Sequence, residues 1–85
     1  MNILKAKILE LGGELFNGEA VQIVVPSIGG DLCLMPNHQS IITALRRGYI
    51  KIFRPSIERP IAVSVAGGIC SFSSNSAIFI VETTT

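Results

Sequence analysis

The sequence predicts an all-β fold, a small sandwich of short, mostly antiparallel strands. Turn signals such as Gly12-Gly13, Asn17-Gly18 and Pro36-Asn37 recur at short intervals along the 85 residues. The segments between them are rich in Ile and Val, and this rhythm is typical of a sandwich or barrel. A chain of this length forms one small domain, which we expect to span residues 1–85.

Alternating apolar residues support strands in several segments, and the last of these segments is apolar on both faces. In it, Ala77, Phe79 and Val81 alternate with Ile78 and Ile80. A strand that is apolar on both sides needs cover on both sides. We expect the sandwich core to cover one face and a partner to cover the other.

Two segments fit either a helix or a strand. Residues 2–11 show both helical spacing and strand-like alternation of apolar residues, and Gly12 would serve as a C-cap if they were helical. Residues 40–47 form either a strand or a short helix that is capped by Ser40 and ends at Gly48. Periodicity alone does not decide between the two for either segment.

The composition indicates a surface that a partner covers in part. Hydrophobic residues make up 48% of the chain and charged residues only 15%, against a usual charged share of about 25%. A small domain has much surface, and contiguous exposed apolar patches usually mark contacts. The net charge of +1 creates no global field, so we expect no nucleic-acid partner.

Few residues are suited to catalysis or metal binding. His38 is the single histidine, and no carboxylate or nucleophile lies near it in the sequence. We expect Cys33 and Cys70 to be buried, reduced thiols that behave as small apolar residues. Without a CxxC pair or a second histidine, we expect no metal site and no cofactor. Gly67-Gly68 is expected to be a backbone turn rather than a phosphate cradle, because no helix or Lys follows it.

The N-terminal residues do not look like a signal peptide. Lys5 and Lys7 lie where its hydrophobic region would be. The longest apolar run, 77–81, is far shorter than the roughly 18 residues that span a bilayer. We therefore expect a soluble protein in a reducing, cytoplasmic compartment.

Four segments carry recognisable motifs. They are the Phe-x-Gly turn Phe16-Asn17-Gly18, the run from Gly30-Asp31-Leu32 through Pro36 and His38 to Ile41-Ile42-Thr43-Ala44-Leu45, the strand Gly48-Tyr49-Ile50-Lys51-Ile52 and the turn Val65-Ala66-Gly67-Gly68-Ile69. In this order and spacing they resemble the N-terminal β-sandwich domain of the epsilon subunit of the bacterial rotary ATP synthase. The likeness runs over nearly the whole chain, and the four segments together make it specific.

The motifs depart from the family pattern at a few positions. Asp31 stands where the family has Glu, which keeps the charge, and Asn37 stands for a Gly but can still adopt a left-handed turn. Cys33 stands for a Gly and Ser40 for a Pro. The family usually continues into a C-terminal two-helix hairpin that inhibits hydrolysis and senses ATP. Since this chain ends at Thr85, we expect it to have neither action and to bind no nucleotide.

The resemblance implies a fold, a role and partners. The implied fold is a sandwich of about ten short strands, in which both ambiguous segments are strands. The implied role is that of a non-catalytic rotor subunit in the central stalk, which helps couple proton- or sodium-driven rotation to ATP synthesis. The implied partners are the gamma subunit and the polar loops of the membrane ring of c subunits. The domain would lie at the cytoplasmic face of the bacterial plasma membrane, peripheral through the complex and not inserted.

The resemblance also implies two contact surfaces. We expect the loop Ser27-Ile28-Gly29-Gly30-Asp31 to meet the c-ring, where a solvated turn is the alternative. We expect Arg46 and Arg47 to be a solvated pair, with salt bridges to a partner as the alternative. We expect His38 either to bond backbone in a turn or to lie at the rotor interface. The expected gamma contact comprises Glu10, His38, Ile41, Ile42 and Thr43.

Two other classes of protein remain open at this point. The first is a free-standing β-sandwich that binds a ligand in a concave pocket with converging polar groups. The second is an enzyme that uses Cys33 or Cys70 with His38, which requires a lowered thiol pKa.

Overall fold

The computed structural model describes residues 3–56 and 59–83, and these form eight β-strands. The predicted all-β class is confirmed, with eight strands in place of about ten. Within the described residues, no helix is long and apolar enough to cross a membrane. The strands are β1 (Leu4–Glu10), β2 (Gly13–Ala20), β3 (Gln22–Ser27), β4 (Gly30–Leu34), β5 (Ile41–Leu45), β6 (Gly48–Phe53), β7 (Ile61–Ser73) and β8 (Ser76–Thr83).

Both segments that the sequence left open are strands. The first is β1, which pairs with β2 and with β8, and the second is β5, which pairs with β7. In β1 the strand-like alternation wins over the helical spacing because Leu4, Ala6 and Ile8 all point into the core. The implied strand assignment for both segments is therefore confirmed.

The strands form one sheet that folds over into two layers. Along the sheet the order is β2-β1-β8-β7-β5-β3-β4, and β6 pairs with β3 and β7. All pairs are antiparallel except β1 with β8. The 13-residue strand β7 belongs to both layers, because its first half pairs with β6 and its second half with β5 and β8.

The predictions of turns at Asn17-Gly18 and at Gly67-Gly68 were wrong, since the first pair lies within β2 and the second within β7. The pairing of β7 with β8 shifts register between Val65 and Gly67, which is a β-bulge. Gly68 has a φ of 149°. A Cβ atom at Gly68 would lie 2.3 Å from the carbonyl oxygen of Ile80. Glycine is therefore needed here for the close approach of two strands where β7 passes from one layer to the other.

The core lies between the two layers and takes one face of nearly every strand. The predicted alternation in β8 is confirmed, since Ala77, Phe79 and Val81 are buried while Ile78 and Ile80 are exposed. Such alternation buries the inward row and leaves the outward row for solvent or a partner. The largest fully buried side chains are Phe72, Phe79, Leu4, Ile8, Ile23, Leu34, Ile50 and Ile52.

Candidate binding surfaces

The outer side of the layer containing β5, β7 and β8 carries a row of exposed isoleucines. We call Ile42, Ile69, Ile78 and Ile80 the outer apolar face; they are 76%, 54%, 42% and 62% exposed. Ile69 pairs directly with Ile80, and Ala44 of β5 pairs with Ile69 on its other side. Ser71 lies between Ile42 and Ile78. Three neighbouring strands thus present a largely apolar surface, the kind that marks a contact with another molecule.

The outer side of the other layer is different in character. It carries Tyr49 and Lys51 of β6 beside Val24 of β3, with Asp31 and Cys33 on β4. Charged and polar groups interrupt this surface, so it lacks the continuous row of large aliphatic side chains. The exposed isoleucines of the described strands therefore lie together on one side of the sandwich, while Leu11, Leu15, Ile28, Met35 and Tyr49 are exposed elsewhere.

Three of the five predicted gamma-contact residues lie on β5, and they face both of its sides. Ile42 is exposed on the outer apolar face, whereas Ile41 packs against the core and Thr43 is half-buried on the same inward side. The start of β5 borders an open groove of about 420 Å³ that is lined by Ser40, Ile41, Ile42, Ser71, Phe72 and Ser73. The structure thus brings Ile42 together with Ile69, which the sequence reading had not singled out as a site residue.

His38 lies beside that groove in a turn. Its ring meets Phe72 edge-on, with ring centroids 5.9 Å apart, and its Nδ1 lies 2.7 Å from the backbone oxygen of Gln39. The turn is held by Asn37, which has a φ of 70° and whose backbone N–H donates to Asn75 Oδ1 at 2.7 Å. The predicted left-handed conformation of Asn37 is confirmed.

Glu10 occupies the far end of the same layer. It ends β1, and its Oε2 accepts a hydrogen bond of 2.9 Å from the Thr83 hydroxyl. Because it follows Leu4, Ala6 and Ile8 on the inward side, it closes an edge of the core rather than extending the row of isoleucines.

The loop that was expected to meet the c-ring is the β3–β4 hairpin loop, residues 27–31. Ile28 lies near its tip and is 70% exposed, while Ser27 at its base is only 5% exposed. Its backbone is tied to the turn that follows β5, because Ile28 N–H donates to Ala44 O at 2.9 Å and Arg46 N–H donates to Pro26 O at 2.9 Å. Two turns therefore form one end of the sandwich.

The expectation that Arg46 and Arg47 are both simply solvated was wrong for Arg46, which forms an ion pair with Asp31. Both side chains are about half exposed, at 46% and 62%. An ion pair this exposed contributes at most about 1 kcal/mol to stability. Its consequence is local, since it holds the Asp31 carboxylate against the turn that follows β5.

Among the described residues, no hydrogen bond joins either thiol to His38. Burial raises the pKa of the Cys70 thiol from 9.0 to about 11, so it stays protonated and unreactive at neutral pH. Cys33 is exposed, which corrects the expectation that both thiols are buried, and its Sγ accepts a hydrogen bond from Gln22 Nε2 at 3.1 Å. Across residues 3–56 and 59–83, no group of three His, Cys, Asp or Glu side chains could hold a metal ion.

Comparison with known proteins identifies the family to which this chain belongs. The family model for the ATP synthase delta/epsilon chain β-sandwich domain matches residues 3–85. An ATP synthase epsilon chain from Latilactobacillus sakei is 34% identical over 83 residues, covering 94% of this chain and 56% of that relative. One from Bordetella parapertussis is 31% identical, covering 98% and 59%. One from Neisseria meningitidis serogroup C is 30% identical over 69 residues, covering 81% and 49%.

Solved structures share the fold. A chain in the central stalk and c-ring of the Tetrahymena thermophila mitochondrial ATP synthase superposes with a TM-score of 0.77 at 15% identity, covering 93% of this chain and 63% of that one. A chain of the Euglena gracilis mitochondrial ATP synthase gives a TM-score of 0.86 at 10% identity, covering 95% and 51%.

The chain belongs to the ATP synthase delta/epsilon family, as its β-sandwich domain, and the resemblance to the epsilon subunit is confirmed. It spans about half the length of the curated relatives that it matches.

Proposed function

We propose that this chain acts as a non-catalytic subunit of the central stalk of an ATP synthase and helps couple ion-driven rotation to ATP synthesis. In this proposal residues 1–85 form one β-sandwich domain that binds the gamma subunit with one surface and the c-ring loops with another. It lies at the cytoplasmic face of the bacterial plasma membrane and is held there through the complex.

The outer apolar face is the observation that carries the proposal. Four isoleucines on adjacent strands are each at least 42% exposed in a domain of only 85 residues. Fully burying an exposed isoleucine is favourable by about 1.5–3 kcal/mol, and each of these side chains, already partly buried, would gain part of that amount under a partner. A stable partner that covers this row explains why β8 is apolar on both sides, and we assign this partner as the gamma subunit.

The β3–β4 hairpin loop supplies the second contact in this proposal. Ile28 projects near the tip, and the backbone of the loop is fixed by two hydrogen bonds to the segment around β5. A loop that is held in place loses little conformational freedom on binding, which favours affinity. The loop lies beside β5, at the edge of the outer apolar face, so in this proposal the two partners bind neighbouring parts of the domain.

Binding to the gamma subunit of the same organism tests the proposal. We expect the protein to be retained on immobilised gamma, and Ile80→Glu to weaken that binding at least tenfold, because it places a charge within the covered apolar face. Tyr49→Glu is the matched control. It introduces the same charge at a side chain that is 58% exposed on the opposite layer, so it should leave the affinity unchanged.

A failure of the unmodified protein to bind gamma would contradict the proposal. Equal losses in the two variants would also contradict it, since the charge would then act without regard to which face it occupies. Circular dichroism of both variants shows whether each remains folded.

A further inference from the structure

The hydroxyl of Thr43 points away from the outer apolar face and toward the β3–β4 hairpin loop. Thr43 Oγ1 lies 2.8 Å from Ser27 Oγ. Ser27 is 5% exposed, and it is the one polar side chain in the buried set among the described residues. A buried hydroxyl needs a partner, and Thr43 supplies it.

A single assignment of donors satisfies every contact of these two hydroxyls. The backbone N–H of Gly29 donates to Ser27 Oγ at 3.4 Å, and Thr43 Oγ1 donates to the backbone oxygen of Ala44 at 3.3 Å. Ser27 Oγ then donates to Thr43 Oγ1 across the 2.8 Å between them. Each hydroxyl has one hydrogen to give and can accept another, so the chain of bonds is complete.

Backbone and side-chain bonds hold the loop together, since Ile28 N–H and Arg46 N–H each make one backbone hydrogen bond between the β3 side and the β5 side. Strand β3 pairs with β5 through only one residue pair, Ser27 with Leu45. The loop tip itself is held by the Ile28 N–H, which donates to the oxygen of Ala44. That same oxygen receives the Thr43 hydroxyl, so both bonds converge at one point of β5.

We propose that Thr43 is a positioning residue for the β3–β4 hairpin loop, acting through Ser27, and that it does not itself contact gamma. The role of Thr43 in holding the loop rests on the hydrogen bonds alone. The effect on the c-ring rests on the proposed function above. Thr43 thereby links the two binding surfaces, because Ile42, on the opposite side of the same strand, belongs to the outer apolar face.

Thr43→Val tests this, because valine keeps the shape of the side chain and replaces the hydroxyl with a methyl group that cannot hydrogen-bond. Amide hydrogen exchange of Ile28 and Gly29, measured by NMR on the protein alone, should speed up about five- to tenfold, the factor for one net hydrogen bond. Thr43→Ser keeps the hydroxyl and should restore the original rate. Ser27→Ala deletes the other partner, and combining it with Thr43→Val should add little further effect.

Binding provides the second readout. Thr43→Val should weaken binding to detergent-solubilised c-ring about threefold or more and leave the affinity for gamma unchanged. A general loss of stability would instead lower the affinities for the c-ring and for gamma together. Should Thr43→Val fail to fold, the same measurements on Ser27→Ala decide the question.

Unchanged exchange of both amides in Thr43→Val would overturn the positioning role. A loss of gamma binding with intact c-ring binding would also overturn it and would make Thr43 a gamma contact. If the unmodified protein binds neither partner, the proposed function fails, whereas the exchange rates still judge the role of Thr43.

Discussion

Cys70 shows how burial alone decides the chemistry of a residue in this domain. The side chain is fully buried in β7, opposite Thr43 of β5 and Phe79 of β8. Desolvation disfavours the thiolate, which raises the pKa from 9.0 to about 11. The thiol is therefore a core residue, and the enzyme hypothesis cannot take its nucleophile from Cys70.

The raised pKa of Cys70 has a measurable effect on stability at high pH. Between pH 9 and 11 the unfolded chain releases this proton while the folded protein keeps it, so the free energy of unfolding falls as pH rises. We expect a loss of about 2 kcal/mol by pH 11. Urea unfolding of the unmodified protein and of Cys70→Ala at pH 8 and 11 measures it, since the variant lacks this contribution. An equal pH dependence in both would contradict the assignment.

At the scale of the strands, β7 determines the architecture. It pairs with β6 in one layer and with β5 and β8 in the other, and the bulge beside Gly68 makes this change of layer possible. A residue with a side chain at Gly68 would have to adopt a φ of 149° and displace the backbone of β8.

Alanine at the two neighbouring glycines separates these effects. Gly68→Ala should destabilise the domain by about 2–4 kcal/mol, from backbone strain together with the clash against β8. Gly67→Ala should change stability by less than about 1 kcal/mol, since the added Cβ would meet its nearest neighbour, Leu45 O, at an ordinary 3.7 Å. Urea unfolding of both variants measures the difference. Equal costs at the two positions would show that the close approach does not constrain β7.

What the sequence predicted depended on whether the signal was local. The alternation in β8 identified both its buried row and its exposed Ile78 and Ile80, because the two-residue period needs no knowledge of neighbouring strands. The bulge at Gly68 was mistaken for a turn, because a glycine pair looks the same in both settings and only the pairing with β8 distinguishes them.

Contacts between residues that are far apart in the sequence could not be predicted, because they depend on which strands are neighbours. The ion pair of Asp31 with Arg46 and the bond between Ser27 and Thr43 join residues 15 and 16 positions apart. Their closeness comes from the fold of β3 against β5, which no spacing in the sequence encodes. Ile69 was likewise missed as a surface residue, although its alternation with the buried Cys70 was a usable signal.

At the scale of the whole molecule, the domain presents two candidate binding surfaces that both adjoin β5. The outer apolar face lies on β5, β7 and β8, and the β3–β4 hairpin loop lies at one end of the sandwich. Strand β5 contributes to both, through Ile42 on its outer side and Thr43 on its inner side. In the proposed stalk, the five-residue strand β5 joins the loop to the gamma contact most directly, and β6 provides a second connection between β3 and β7.

Site-specific photo-crosslinking in the assembled ATP synthase tests the central claim most directly. A photoreactive phenylalanine derivative is placed in turn at Ile69, at Ile28 and, as a control, at Tyr49, all of which are exposed. We predict that position 69 crosslinks to gamma, position 28 to a c subunit and position 49 to neither. Crosslinks from position 69 to a c subunit, or none from position 69 while the complex is intact, would contradict the account.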